Sequence, residues 1–407
     1  NLLVELFVEE LPPKALKKLG EAFAAGLANS LKNAGLAPST ASVTAFASPR
    51  RLAAHITDVA AVAADKPVVQ KLMPVAVGLD AAGKATPALL GTDACAVPRL
   101  RRENDGKADI LFYDSLAKGA TLAEGLQKAL EAALAGLPIP KVMNYQLADG
   151  WRSVNFVRPA HGLVALHGSE VVPVSVLGLE SGRNTKGHRF EAAVDPVIFA
   201  DADEYAARLA SDGAVIASFA ERRAEIARQL AAAAAQAGKN GSAPLRPIDD
   251  DALLDEGTAL VERPNVLVGQ FEEEFLEVPQ ECLILTMKAN QKYFPLLDTA
   301  GKLTNKFLVV SNISPADASA VIGGNERVVR PRLADAKFFF DQDRKKTLES
   351  RVLGLAKVIY HNKLGTQGER VQRVCAIAKA IGLQLGGEVL AVQAEQAALL
   401  AKADLLT

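Results

Sequence analysis

Residues Gly323–Lys346 read GGNERVVRPRLADAKFFFDQDRKK. Seven cations (Arg327, Arg330, Arg332, Lys337, Arg344, Lys345 and Lys346) surround three consecutive phenylalanines, Phe338 to Phe340, with Glu326, Asp335, Asp341 and Asp343 interleaved. On a helix, successive residues point about 100° apart, so three adjacent rings cannot share one partner layer. The spacing predicts a segment buried on more than one side or wedged between domains, a hinge from a β-rich region into a helical one. Its guanidinium groups are fork-shaped, permanently charged donors suited to phosphate. A charge run of this kind also serves as the solvated face of an amphipathic helix.

The β-rich side of the hinge begins just upstream. Phe307–Asn312 (FLVVSN) is a short apolar run of the kind buried strands use, and FEEEFLEVPQECLILTMKANQKYFPLLD predicts strand, helix and strand, turning near Thr299–Gly301. Within it Lys288, Gln291, Lys292 and Tyr293 set cations beside an aromatic, a pairing suited to stacking and phosphate contact or to a solvated strand edge. Residues 201–236 are helical in pattern, 238–247 form a loop, and Asp249, Asp250 and Asp251 cluster at a helix start, where solvent or a cation would suit them. Residues 151–179 alternate strand-like runs with turns, and SGRNTKGHRF then places Arg183, Lys186, His188 and Arg189 in one loop. His161 and His188 lack a nucleophile or metal-ligand partners at suitable spacing, so both are expected to tie loops down by hydrogen bonds.

Farther upstream, Leu2–Val8 (LLVELFV) predicts a buried strand, and Pro12–Pro13 opens a helix to about Ala34. Glu9 and Glu10 precede that helix, where its dipole favours acids. Val43–Val59 predicts strand, turn, strand, with Arg50 and Arg51 as an exposed pair in the turn. Residues 66–91 are rich in Pro, Gly and Ala and predict loops; Leu100–Leu116 predicts a hairpin turning at Asn104-Asp105-Gly106; residues 120–137 predict a helix. Downstream of Lys346 the pattern is helical throughout, and Thr407 falls in it without a cap, so the domain is expected to continue past it.

The 407 residues are 49% hydrophobic and 23% charged, with mean hydropathy +0.12, which is ordinary globular material sufficient for two or three domains. A net charge of -1 gives no global basic field, so any nucleic-acid contact must come from local patches. Cys95, Cys282 and Cys375 are far apart without a CxxC pair, which fits a reducing cytoplasm. No apolar run approaches the roughly 20 residues of a membrane span, and the start lacks signal-peptide order.

The pieces VEELPPKAL (Val8–Leu16), SPRRLA (Ser48–Ala53), LPIPK (Leu137–Lys141), FVRPAH (Phe156–His161), GHRF (Gly187–Phe190), QKYFP (Gln291–Pro295) and KLGT (Lys363–Thr366) recur in order with the 323–346 stretch. In order and spacing the set resembles the β subunit of the bacterial two-subunit glycyl-tRNA synthetase, over roughly its N-terminal half to three-fifths. The resemblance implies a multi-domain α+β fold: an N-terminal region 1–150, a region 151–322 similar to the B3/B4 module of the phenylalanyl-tRNA synthetase β chain, the 323–346 connection, and from 347 the start of an all-α domain resembling the HD phosphohydrolases. It departs at Asn144-Tyr145, where an Arg-Trp pair is expected, and at Ala289-Asn290, where Gly-Asp is usual.

The implied function is to position tRNA(Gly) for aminoacylation by a catalytic α subunit in an α2β2 assembly, with further helical and anticodon-binding parts beyond Thr407. Candidate tRNA contacts are Arg50, Arg51, Arg183, Lys186, Arg189, Lys288, Lys292, Arg327, Arg330 and Arg332. No catalytic residue and no metal ligand is implied in this chain: glycine, having the smallest side chain, needs no editing pocket against smaller competitors. ATP and Mg are expected at the α subunit, since no GxxxxGK[ST] loop occurs here. His361 and Asp404 could begin an HD-type metal site, but ALLAKADLL replaces the His-Asp dipeptide. A metal phosphohydrolase and a module that only docks the α subunit are the alternatives.

Overall fold

Leu2–Val8 is buried along its whole length because its sheet is covered on both faces. In a computed structural model describing residues 1–80, 83–90, 100–104, 109–239 and 244–407, this strand sits inside a seven-stranded sheet. The order is Ser175–Val176, Leu179–Gly182, Ala160–His167, Leu2–Val8, Arg51–Ile56, Val43–Ser48, with Glu170–Val171 also paired to Ala160–His167. Side chains alternate between faces with period two. Leu2, Val4, Leu6 and Val8 therefore meet the helices Pro13–Ala34 and Leu122–Ala135, through Leu16, Leu19, Phe23, Leu126 and Leu130. Leu3 meets Phe46, Val164, Phe199, Tyr205 and Leu209 on the other face. Glu5 shares that second face.

Both helices are bounded by local chemistry that the sequence displays. Pro13 opens the first, and Gly35, in the left-handed region (φ 76°), closes it. Thr121 and Glu124 form a reciprocal capping box on the second.

The chain divides into two compact units: 1–228 with 251–265 and 310–314, and 229–250 with 266–309 and 315–407. Leu2–Val8 pairs antiparallel with Ala160–His167, from Leu2 opposite His167 to Val8 opposite Ala160. The boundary expected at 150/151 therefore falls inside one unit. Residues 66–74, expected as loop, form the strand Lys66–Pro74 in a three-stranded sheet with Asp109–Ala117 and Leu100–Asn104. That strand is mostly exposed, so backbone pairing rather than apolar burial defines it and no alternating pattern announces it. The expected turn at Asp105-Gly106 and Cys95 lie outside the described residues. The helix expected over 201–236 is interrupted: Tyr205–Ser211 and Phe219–Lys239 are separate helices, with Ala214 at φ 53° between them.

In the second unit a sheet ordered Arg246–Pro247, Phe294–Leu297, Leu303–Ser311, Asn265–Gln270 carries the helices Gln280–Gln291 and Ser319–Asp343. Glu273–Glu277, expected within a strand, is a 3-10 turn. Gln280–Gln291 ends at Lys292 in the left-handed region (φ 58°); Ala289 and Asn290 stay helical, so the departure from Gly-Asp has no backbone consequence.

The 323–346 stretch is not buried on more than one side. It lies mostly within one helix, Ser319–Asp343, whose Val329, Leu333, Ala336 and Phe340 pack on the unit's core while Phe338 and Phe339 are 56% and 63% exposed. Spacings of four, three and four residues select one helical stripe, and only the third ring belongs to it.

Residues after Lys346 are not helical throughout either. Ile359–His361 and Gly365–Thr366 form a small hairpin, with Gly365 of the KLGT motif at φ 85°. Gln367–Leu400 breaks at Gly386 and Gly387 into two arms. The arms fold back on each other: Lys379 pairs with Glu395 at 2.9 Å, and a Cβ on Gly382 would lie 2.8 Å from the Cα of Ala391. By length and hydropathy the segment 367–406 could cross a membrane, contrary to the sequence expectation. Gly386 and Gly387 interrupt that segment, so it is not one continuous helix.

Candidate nucleic-acid interface

The strand Arg51–Ile56 runs antiparallel to Leu2–Val8 and sets Arg51 opposite Phe7. Sequence reasoning places Arg50 and Arg51 in an exposed turn; they are 5% and 1% exposed. The correction has a clear cause, because both guanidinium groups are committed to one buried carboxylate. Glu262 accepts from Arg51 at 2.5 Å through Oε1 and from Arg50 at 2.8 Å through Oε2. Arg51 also lies 3.5 Å from Glu5, whose Oε2 accepts from the Tyr205 hydroxyl.

The electrostatics follow from this packing. Burial opposes the charge on Glu262, but Arg51 and Arg50 outweigh it and hold the carboxyl below its usual range. Burial and then the Glu5 carboxylate push the Tyr205 hydroxyl well up. Arg222, which sequence reasoning passed over, is wholly buried and donates to the carbonyls of Thr258, Ile216 and Ala47 at 3.0, 2.6 and 2.8 Å. Burial lowers its pKa to about 9, which leaves it cationic at neutral pH.

The same arginine pair also holds a second motif. Arg50 Nη2 donates to the Gly187 carbonyl at 2.8 Å, and Arg51 Nη2 donates to the Lys186 carbonyl. Gly187 fits there because a Cβ would meet the Gly213 carbonyl oxygen at 2.7 Å. The buried His188 accepts from the amides of Phe190 and Glu191 at Nδ1, each at 3.2 Å, so it ties the loop down as expected. The SPRRLA and GHRF motifs thus form one device: a buried charged scaffold and a loop backbone clamped to it. Lys186, Arg189 and Phe190 project outward, and Phe190 is 82% exposed. Phe190 was missed from sequence, although its place beside two cations is the signal that would have found it.

Beside the loop lies a cavity of about 740 Å³ lined by Phe7, Glu9, His161, Lys186, His188 and Arg189 among others. Glu9 pairs with His161 at 2.8 Å and with Arg189 at 3.1 Å, and Arg189 reaches Glu10 at 3.0 Å. Burial raises the Glu9 pKa, but the His161 hydrogen bond and the neighbouring cations bring it below the ordinary range. Arg183 is half-buried and donates to the Ser169 carbonyl at 3.0 Å.

Within the second unit, Lys288 pairs with Asp250, and Lys292 Nζ donates to the Ala289 carbonyl at 2.9 Å. Tyr293 is not a stacking platform: it is buried against Phe307, ring centroids 4.7 Å apart, with its hydroxyl on Asn325. Arg330 pairs with Glu272 at 2.5 Å; Arg327 and Arg332 are exposed. The acidic cluster at 249–251 is engaged by cations of the chain, Asp250 by Lys288 and Asp251 by Arg223. Among the described residues no three His, Cys, Asp or Glu side chains converge as a metal site would need. His361 accepts from the Lys363 amide at 3.1 Å, and Asp404 is exposed.

Residues 2–407 match the family described as glycyl-tRNA synthetase beta subunit. The chain is 83% identical to the glycine–tRNA ligase beta subunit of Dechloromonas aromatica (strain RCB), over 100% of this chain and 59% of that protein. It is 74% identical to the protein of that name from Thiobacillus denitrificans (strain ATCC 25259 / T1), over 100% of this chain and 58% of the relative. For that of Paracidovorax citrulli (strain AAC00-1) the figures are 71%, 100% and 59%. The chain therefore spans about three-fifths of the length of these relatives. The matches lend no support to the phosphohydrolase alternative. With the clamped arginine motif, the basic loop and an end-to-end match in agreement, the chain belongs to the glycyl-tRNA synthetase beta subunit family.

Proposed function

We propose that the chain is the tRNA-holding portion of a glycine–tRNA ligase beta subunit. It orients tRNA(Gly) in the cytoplasm so that the 3′ end reaches an active site on an alpha subunit, in an α2β2 assembly. ATP and Mg bind at that alpha subunit, and the chemistry of aminoacylation is done there. The observation that carries the reading is the 186–190 loop, whose backbone is fixed by Arg50 and Arg51 while Lys186, Arg189 and Phe190 face solvent. Fixed cations of this kind position a phosphate backbone without reading sequence. Arg50 and Arg51 then act as buried positioning residues, and the outward contacts are Lys186 and Arg189, with Arg183, Lys288, Lys292, Arg327, Arg330 and Arg332 as further candidates.

The test is aminoacylation and tRNA binding by the complete ligase carrying Lys186→Ala with Arg189→Ala. Loss of two phosphate contacts should make the log–log salt dependence of tRNA affinity shallower by about 1.8. It should raise the KM for tRNA and leave kcat nearly unchanged, as expected for uniform binding. An unaltered salt slope would remove this loop from the interface.

A further inference from the structure

The Ser319–Asp343 helix carries its cations on two different faces. Val329, Leu333, Ala336 and Phe340 mark the side packed on the core. Arg330 and Lys337 lie on the flank of that stripe and reach Glu272 and Glu277, at 2.5 and 2.7 Å. At about 100° per residue, Arg327, Pro331 and Phe338 fall opposite the stripe and Val328, Arg332 and Phe339 on the flank away from Arg330 and Lys337, and all six are exposed. The rings of Phe338 and Phe339 stand edge to face, centroids 5.4 Å apart and planes at 76°. The motif has thus been sorted by folding into a tethered half and an outward half.

We propose that this outward face binds unpaired nucleotides of an RNA strand: the phenylalanine rings stack on bases while Arg327 and Arg332 hold the flanking phosphates. This rests on the tRNA-holding reading above and deepens it. Three features favour RNA over a protein partner. The two guanidinium groups carry no carboxylate partner among the described residues, which leaves them available to a polyanion. Arg332 and Asp335 lie between Val328 and Phe339 along the face, so the apolar atoms do not form the continuous centre a protein interface uses. Interleaved rings and arginines are the arrangement that takes single strands, every base having a face to stack. Unpaired nucleotides are specified because a duplex buries its base faces within its own stack.

The experiment uses the complete subunit with its alpha partner and three probes: a mixed-sequence single-stranded RNA 12-mer, a blunt RNA duplex, and tRNA(Gly). Phe338→Ala with Phe339→Ala should weaken single-strand binding by about tenfold to a hundredfold, leave duplex binding unchanged, and leave thermal unfolding unchanged because both rings are exposed. Arg327→Gln with Arg332→Gln should make the single-strand salt slope shallower by about 1.4. Single-strand affinity unchanged in the phenylalanine variant would overturn the proposal, as would loss of alpha-subunit association with RNA affinity intact, which marks a protein interface. If wild type and the phenylalanine variant bind tRNA alike, only this inference falls. If the wild-type ligase binds none of the three probes, the tRNA-holding reading falls with it.

Discussion

Glu262→Gln is expected to destabilise the first unit by about 3–5 kcal/mol, the usual effect of breaking a buried ion pair from one side. The size follows from what remains. Arg50 and Arg51 would stay buried, still tethered by carbonyls, with only Glu5 nearby at 3.5 Å to compensate two charges. The pH dependence has a definite sign. The Glu262 carboxyl is held below its usual range against the opposition of burial by Arg51 and Arg50, so the unfolded chain binds the proton more readily than the folded one. Its contribution is complete above the ordinary glutamate value of about 4.3 and is lost as the pH falls through the depressed folded value. Urea titrations of wild type between neutral pH and about pH 3 should therefore show an acid limb that is flatter in the variant. Glu9 and Asp203, also lowered, keep part of that limb in both proteins. A variant within about 1 kcal/mol of wild type at neutral pH would mean that the network does not hold this unit together. Because the same arginines clamp the carbonyls of Lys186 and Gly187, tRNA affinity should fall as well, although Glu262 is itself buried.

The elements that sequence reasoning recovered are those in which one local signal decides. A proline pair opened the first helix, and seven consecutive apolar or shielded residues made a strand buried on both faces. The errors share a different cause. Arg50 and Arg51 look solvated because their partner is Glu262, more than 200 positions away, and nothing local distinguishes a turn arginine from a buried one. Tyr293 looks available beside Lys292 for the same reason, yet Phe307 and Asn325 enclose it. Helical periodicity separated the three phenylalanines, but all were expected to find a buried partner, whereas only Phe340 does and Phe338 and Phe339 stay exposed. Residues 66–74 failed in the opposite sense: composition indicated a loop, and a neighbouring strand supplied the pairing. Charge and motif were legible; which charges reach solvent was a property of tertiary packing.

Phe307→Ala is the corresponding test of the second unit, with an expected loss of about 3–5 kcal/mol, the range for removing a fully buried phenylalanine. The ring is completely buried, stacked on Tyr293 at 4.7 Å and near Phe271 at 6.4 Å, and it lies under Gly269, where a Cβ would come within 2.6 Å of Cζ. Such a close approach leaves little room for the site to collapse, which places the cost toward the upper end. The consequence for function runs through one hydrogen bond: Tyr293 donates to Asn325 at 2.7 Å, two residues before Arg327 on the Ser319–Asp343 helix. Loosening Tyr293 frees the start of the outward face, so single-strand RNA affinity should fall even though Phe307 cannot touch RNA. Hydrogen exchange along Leu303–Ser311 reads the stability and oligonucleotide binding reads the face. Faster exchange with unchanged RNA binding would separate the two and show that the helix keeps its geometry without the aromatic stack. If Phe307→Leu, which restores apolar volume without the stack, recovers stability but not affinity, the ring contact with Tyr293 is what orients the helix.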